Sequence, residues 1–471
     1  MSKKREYGQE QPHLPLGPFK IRVPFYHYRF EWADYLQGLL MCAVCLSAIP
    51  MLQEYLGMSF EVALAVVVLN GILYCAHVFL GDPVVPGWVT PAIPLLMLYV
   101  SGFEMGTPRI QALIAFELSL GLLAVILGIT GLGKKLIALV PNAMQAGLIL
   151  GSGFAAVMVI FNKGQRFDTY PITITVCIGI GFYLLFSNHF KSIAQRNVVT
   201  RTLSNLGILP IMVLAVILGP LVGETEVPVI EWGISAPAFG ELFHNWTFFG
   251  VGFPSFTMFI SGLPMVFSAY VILFGDMIQS QALLEDAGKY RPDEHIDYNP
   301  NRSHIIFGMR NIIMSVLGPD LTMCGPLWAA MQVVVCERFK HGPKAMQSIN
   351  SGAGSFRFGT LTGYFILPIV TLVKPILGVA LASTMLIQGY VSVRVGVMKA
   401  RTFNDLGIAG VMGAVLATRG AAWGLAVGIV LCLLIQLGNV KKYEDYIYES
   451  NDEKDFNSNG AKKEEEQEAT A

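Results

Sequence analysis

Two proline-broken apolar stretches carry the residues most able to do chemistry: Val84-Val85-Pro86-Gly87-Trp88-Val89-Thr90-Pro91-Ala92-Ile93-Pro94 and Leu321-Thr322-Met323-Cys324-Gly325-Pro326-Leu327-Trp328. Each is apolar enough for membrane depth, yet neither can begin as a continuous helix. A short run of β-branched and polar residues leads into Thr90-Pro91 or Gly325-Pro326, and proline at a first helical position then starts a half-helix. The N–H groups that follow lack intrahelical acceptors. Those of Ala92, Ile93, Leu327 and Trp328 are therefore expected as donors to a ligand, with the hydroxyls of Thr90 and Thr322 beside them. Two such helix ends converging on one cavity place partial positive charge there, which suits an anion. Trp88 and Trp328 flank the breaks and are read as aromatic walls of that cavity.

The embedded charges come next. Asp276 lies inside the apolar run Ala269-Tyr270-Val271-Ile272-Leu273-Phe274-Gly275-Asp276-Met277. A carboxylate at such depth is costly unless paired or facing a cavity, so its default reading is functional. It can take up a proton or supply one oxygen ligand to Na⁺, and it is assigned to ion coupling. Glu117 and Arg310 are the other buried charges, read as a pair that lowers each other's burial cost. His77 is read as a helix-to-helix hydrogen bonder. The cysteines number seven and all lie in apolar segments, which argues against a disulfide scaffold. Cys42 and Cys45 are read as small membrane-helix residues. The chain has no HExxH motif, nucleophile elbow or P-loop, so an enzyme is not expected. No cofactor is expected beyond a coupling ion, H⁺ or Na⁺. The formal net charge is −1, and no nucleic-acid partner is expected.

These residues need long apolar elements to position them. The chain is 54% hydrophobic and only 14% charged, and spanning-length apolar runs recur from Tyr35 to Leu437. That is a polytopic helical membrane protein, expected in a bacterial inner (plasma) membrane, with lipid and a small-molecule substrate as its partners. The basic start Met1-Ser2-Lys3-Lys4-Arg5 stands too far from the first span for a cleaved signal peptide and is expected in the cytosol. Length and turn signals divide the runs into about fourteen segments. On that division twenty-six of the 32 Lys and Arg residues fall on the cytoplasmic side, Arg357 among those ahead of the eleventh segment. Arg109, Lys163, Arg166, Lys374 and Arg419 fall outside, and Arg310 lies within a span. The asymmetry fits the positive-inside rule with both termini cytoplasmic.

The segments separate into two sets of about seven around the external stretch 223–246, with a proline break in the third of each, so the halves are expected as an inverted repeat. Val140-Pro141 and Lys374-Pro375 open corresponding later segments. Gly147 with Gly151, and Gly407 with Gly410 and Gly413, recur at helical spacing and are read as close-packing surfaces. The acidic tail over 439–471 is expected to be disordered.

With Leu36-Gln37 opening the first span, Val85-Pro86-Gly87-Trp88 in the third, Val140-Pro141 in the fifth and Gly275-Asp276 in the eighth, the chain resembles the nucleobase-ascorbate (uracil-xanthine) permeases. The order of elements also resembles the related sulfate permeases. The resemblance spans roughly residues 30–438 and marks a divergent member of that superfamily. It implies an all-α fold of fourteen transmembrane segments in a 7+7 inverted repeat. A tail over 1–30 would precede a transporter unit over 31–438. That unit would hold a core domain over 31–130 and 253–373 and a gate domain over 138–222 and 374–438, the gate offering a homodimer interface. Substrate would sit between segments three and ten, against Gln37, Trp88, Thr90, Ala92, Ile93, Ile272, Thr322, Gly325, Leu327 and Trp328. Two glutamates that fix the base in bacterial uracil permease are replaced here by Ile272 and Pro326, which removes acceptors a nucleobase needs. The expected function is secondary active transport of a small organic or inorganic anion, coupled to H⁺ or Na⁺ by elevator-like alternating access. A nucleobase permease is one alternative; an uncoupled channel or a solute-binding membrane sensor is another.

Overall fold

In a bilayer, backbone N–H and C=O groups have no water to bond, so apolar sequence of this length satisfies them within helices. The structure, a computed structural model, describes residues 5–436 apart from 194, 195, 198, 201, 202, 204 and 205. The expected disordered tail lies outside the described residues.

Among the described residues six helical stretches are long and apolar enough to cross a membrane: Trp32–Leu56, Phe60–Phe79, Thr107–Thr130, Asn142–Thr169, Phe256–Lys289 and Leu367–Lys399. Shorter apolar helices accompany them. The longer helices are α1 (Trp32–Leu46), α2 (Phe60–Phe79), α3 (Ile93–Ser101), α4 (Thr107–Thr130), α5 (Asn142–Phe161), α6 (Pro171–Phe186) and α7 (Leu209–Leu221). They continue with α8 (Phe256–Lys289), α9 (Pro300–Leu317), α10 (Ala329–Lys340), α11 (Ile349–Gly363), α12 (Leu377–Lys399), α13 (Phe403–Arg419) and α14 (Ala421–Ile435).

The most extensive packing joins α1 to α11, α4 to α9, and α5 to both α12 and α13. Small residues make these approaches possible. A Cβ on Gly38 would stand 1.9 Å from the Phe356 carbonyl oxygen, and one on Gly359 2.1 Å from that of Tyr35, so α1 and α11 meet backbone to backbone. Gly147, Gly151 and Gly413 pack in the same way between α5 and α13. Gly407 and Gly410 do not: a Cβ on either would meet nothing within 4 Å, because both face outward on α13.

The described residues ahead of α1 pack against the rest of the chain rather than trailing. β1 (Leu14–Leu16) and β2 (Phe19–Ile21) form an antiparallel hairpin with Leu14 opposite Ile21. Gly8 N donates to the Asp293 carbonyl at 3.0 Å, and His295 N to that of Gln9 at 3.1 Å. Asp297 accepts from Lys20 of the hairpin at 2.8 Å and from Arg302 of α9 at 2.7 Å. Burial would raise its carboxyl, but those two cations outweigh burial and hold it at about 2.

Candidate functional site

The two broken stretches cross. Gly87 N donates to the Gly325 carbonyl at 3.3 Å and Gly325 N to that of Gly87 at 2.8 Å, an antiparallel bridge. Val89 N bonds the Thr322 carbonyl at 3.2 Å, and Trp328 N that of Val85 at 2.7 Å. Val85 N is taken by Gln332 Oε1 at 2.7 Å. On the far side Asn311 bonds both the carbonyl and the N–H of Cys324, at 2.9 and 3.0 Å. Non-helical backbone is tolerated at this depth only when it is satisfied in this way. Glycine is required at the crossing, since a Cβ on Gly87 would stand 2.9 Å from the Leu327 carbonyl oxygen, and one on Gly325 3.0 Å from that of Gly87.

This pairing corrects the expected donor set at Ala92, Ile93 and Trp328 but not at Leu327. Ala92 N is spent on the Val89 carbonyl at 2.9 Å and Ile93 N on that of Thr90, closing a 3₁₀ turn over Thr90–Ala92. Trp328 N is spent on the crossing strand. Pro326 does not open the second half-helix, which begins at Ala329. The first N–H groups of α10, on Ala329, Ala330 and Met331, are the ones without an i−4 partner inside their helix. All three residues line a cavity of about 680 Å³ beside the crossing.

One wall of that cavity is built by Met41, Val44 and Cys45 of α1, by Trp88 and Thr90, by Ile272 and Asp276 of α8, and by Leu327 and Trp328. The opposite wall comes from Ile149 of α5, Phe186 of α6, and Thr384, Gln388 and Ser392 of α12. Gln37, Ala92, Ile93, Thr322 and Gly325 do not line it. Gln37 sits about one turn along α1 from Met41. Ala92, Ile93 and Thr322 are fully buried, and Thr322 instead hydrogen-bonds Asp320 and Asn70. Asp276 is half-buried at the cavity, and its carboxylate has no hydrogen bond or ion pair among the described residues.

Arg357 of α11 completes the wall. The residue is 0% exposed, and none of its three guanidinium nitrogens makes a hydrogen bond. Its guanidinium carbon lies 4.1 Å from the Tyr74 ring centroid and 4.9 Å from that of Trp328. Aromatic faces stabilise a cation but leave its donors free. The charge count puts Arg357 among the cytoplasmic Lys and Arg residues, and the polar run Asn350-Ser351-Gly352-Ala353-Gly354-Ser355 conceals the buried helix that carries it. The available signal was small residues recurring at Gly352, Gly359 and Gly363, the spacing of one helix face.

The expected pair of Glu117 and Arg310 is not formed. Arg310 donates to the Gly325 carbonyl at 3.1 Å, contacts His77 Nδ1 at 3.2 Å, and has its guanidinium carbon 4.7 Å from the Tyr74 ring centroid. Glu117 instead accepts from Asp320 N at 3.2 Å. The extended backbone between them supplies polar partners to both. His77, read as an interhelical hydrogen bonder, contacts Arg310 and also Asp82 at 2.9 Å.

No family model matches the chain, and no curated protein sequence does. Its fold matches solved structures. The structure of SLC26A9 aligns with TM-score 0.54 and 14% identity over 85% of this chain and 64% of that one. Murine solute carrier 26 family member A9, an anion transporter in the inward-facing state, aligns with TM-score 0.51 and 14% identity over 86% and 67%. The transmembrane domain of a cyanobacterial bicarbonate transporter, BicA, aligns with TM-score 0.49 and 15% identity over 85% and 96%. The chain thus has the helical membrane fold of the solute carrier 26 proteins and spans about two thirds of their length.

Proposed function

We propose that this chain is a secondary transporter of a small anion, bound in the cavity between the crossing of the half-helices and α12. The observation that carries this reading is Arg357: a buried guanidinium with no hydrogen-bond acceptor, set in a cavity wall beside the open N–H groups of α10. A buried charge without a partner is destabilising, and an anion in the cavity supplies the missing acceptor once the Arg357 side chain, closed off from the cavity in this structure, turns towards it. The α10 amino terminus adds partial positive charge at the same place. The fold shared with an anion transporter agrees with this.

The remainder of the proposal follows from the two walls. α1 to α4 with α8 to α11 form a core domain that carries the substrate. α5 to α7 with α12 to α14 form a gate against which it slides, in an elevator-like exchange of access. The pairing of α1 with α11 is mirrored by that of α8 with α4, and the pairing of α4 with α9 by that of α11 with α2, which with the antiparallel meeting of Gly87 and Gly325 supports a 7+7 inverted repeat of fourteen segments. Asp276 shares the cavity with Arg357 and has no partner, so an ionised Asp276 repels an arriving anion; taking up a proton removes that repulsion and moves the proton with the anion.

A thermal-shift screen of purified protein against inorganic oxyanions, small carboxylates and nucleobases tests the reading. An anion that binds the folded state raises the melting temperature with the logarithm of its concentration. Stabilisation by uracil or xanthine alone would refute it.

A further inference from the structure

A second buried site lies behind the crossing, away from the substrate cavity. Glu117 of α4 and Asp320 of the turn after α9 are 0% and 2% exposed, and neither has a Lys, Arg or His within ion-pair distance among the described residues. Their two carboxylates are brought together by the Asp320 N–H, which donates to Glu117 Oε1 at 3.2 Å. Asp320 is well satisfied: Thr322 N donates to Oδ1 at 3.0 Å, Asn70 Nδ2 donates to Oδ2 at 2.7 Å, and the Thr322 hydroxyl donates to Oδ2 as well. Glu117 is not. Its Oε2 is buried and has no hydrogen-bond partner.

We infer that Glu117 and Asp320, with the hydroxyl oxygen of Thr322, form a binding site for a small monovalent cation, for which Na⁺ is the probe. Three neutral donors stabilise Asp320 as an anion without cancelling its charge, and Glu117 Oε2 is the carboxylate oxygen left without a partner for a cation to take. A hard cation takes oxygen ligands, and the side-chain oxygens gathered here are carboxylate and hydroxyl, with Asn70 holding both through its amide nitrogen. No imidazole or thiolate pair is present to favour a transition metal, and no group of three His, Cys, Asp or Glu side chains occurs among the described residues.

The position gives the site a consequence. Asp320 holds Thr322, and the next residue, Met323, has φ of 56°, a left-handed conformation unusual for a side chain of this size. Cys324 and Gly325 follow directly and bond Asn311 and Gly87. Neutralising Glu117 lets the Asp320 turn stay fixed, and the turn fixes the strand that ends at the α10 amino terminus. Cation occupancy thereby supports the geometry of the anion cavity. This extends the transport reading and depends on it for its role, although binding of the cation does not.

The test is a Na⁺ titration of the purified full-length chain by thermal shift, with choline replacing Na⁺ at constant ionic strength and no added anion substrate. The melting temperature is expected to rise with the logarithm of Na⁺ concentration. Glu117→Gln, which keeps the Oε1 acceptor and removes the charge, should abolish the Na⁺-specific shift. Equal melting temperatures in Na⁺ and choline would overturn the proposal and assign the charge on Glu117 to a proton. A Na⁺ shift that survives Glu117→Gln would overturn it also. The comparison in the unsubstituted protein stands by itself if the variant does not fold. An anion titration in choline reads the Arg357 cavity separately, so loss of one response without the other shows which proposal has failed.

Discussion

Replacing Arg357 should move stability and affinity in opposite directions. In the structure its guanidinium is fully buried without a hydrogen bond, against the rings of Tyr74 and Trp328. Burying an ion costs several kcal/mol, and of the three cation–π contacts the two nearer ones return about 0.5 to 2 kcal/mol each while Phe356, at 5.7 Å, adds little. The substrate-free fold therefore carries a net penalty, and Arg357→Met, which fills similar space without charge, should stabilise it by about 1–3 kcal/mol. The same change removes a forked pair of charge-assisted hydrogen bonds to the anion. At about 1.5 kcal/mol or more for each bond, that is about 3 kcal/mol, or roughly a hundredfold in Kd. Arg357→Lys keeps the charge but loses the fork, so its affinity should fall between the two. The assay is thermal unfolding in detergent with and without the stabilising anion. An Arg357→Met protein that melts below the parent yet retains the full anion-dependent shift would refute the reasoning.

Other perturbations test separate parts of the account. Asp276→Asn should abolish proton-driven accumulation in proteoliposomes while preserving anion binding; normal uphill uptake would move coupling elsewhere. Gly325→Ala puts a methyl group 3.0 Å from the Gly87 carbonyl oxygen, so it should cost about 1–3 kcal/mol in unfolding and weaken anion binding. An unchanged melting temperature would show that the strands can separate. Asp297 is depressed to about 2 in the folded protein, so its stabilisation is complete above the ordinary carboxylate value of about 4 and is lost as pH falls from there towards 2. Asp297→Asn should remove up to about 2 kcal/mol at neutral pH and flatten the stability profile in that acid window.

The broken stretches were legible in the sequence because proline and glycine act locally: Pro91 and Pro326 mark interruptions whatever surrounds them. Their partners were not legible. Which N–H is free depends on the register of two strands far apart in the chain, and that register moved the open donors to Ala329, Ala330 and Met331. Trp88, Thr90, Ile272, Asp276, Leu327 and Trp328 were named from the sequence and line the cavity, whereas Gln37 and Thr322 do not. Arg357 was missed because α11 is built of glycine, serine and threonine, whose low hydropathy hides a buried helix. Small residues there serve backbone contact with α1, a tertiary requirement that hydropathy does not register. The Glu117 contact with Asp320 depended in the same way on a turn whose path only the folded backbone defines.

The measurement that bears most directly on the central claim is uptake into proteoliposomes of radiolabelled small anions, bicarbonate, sulfate and acetate, beside labelled uracil and xanthine, for the parent protein and Arg357→Gln. The account predicts saturable uptake of an anion, competed by other anions, indifferent to the bases and lost in the variant. Saturable uptake of a neutral base that anions do not compete, or anion flux unchanged in Arg357→Gln, would contradict it.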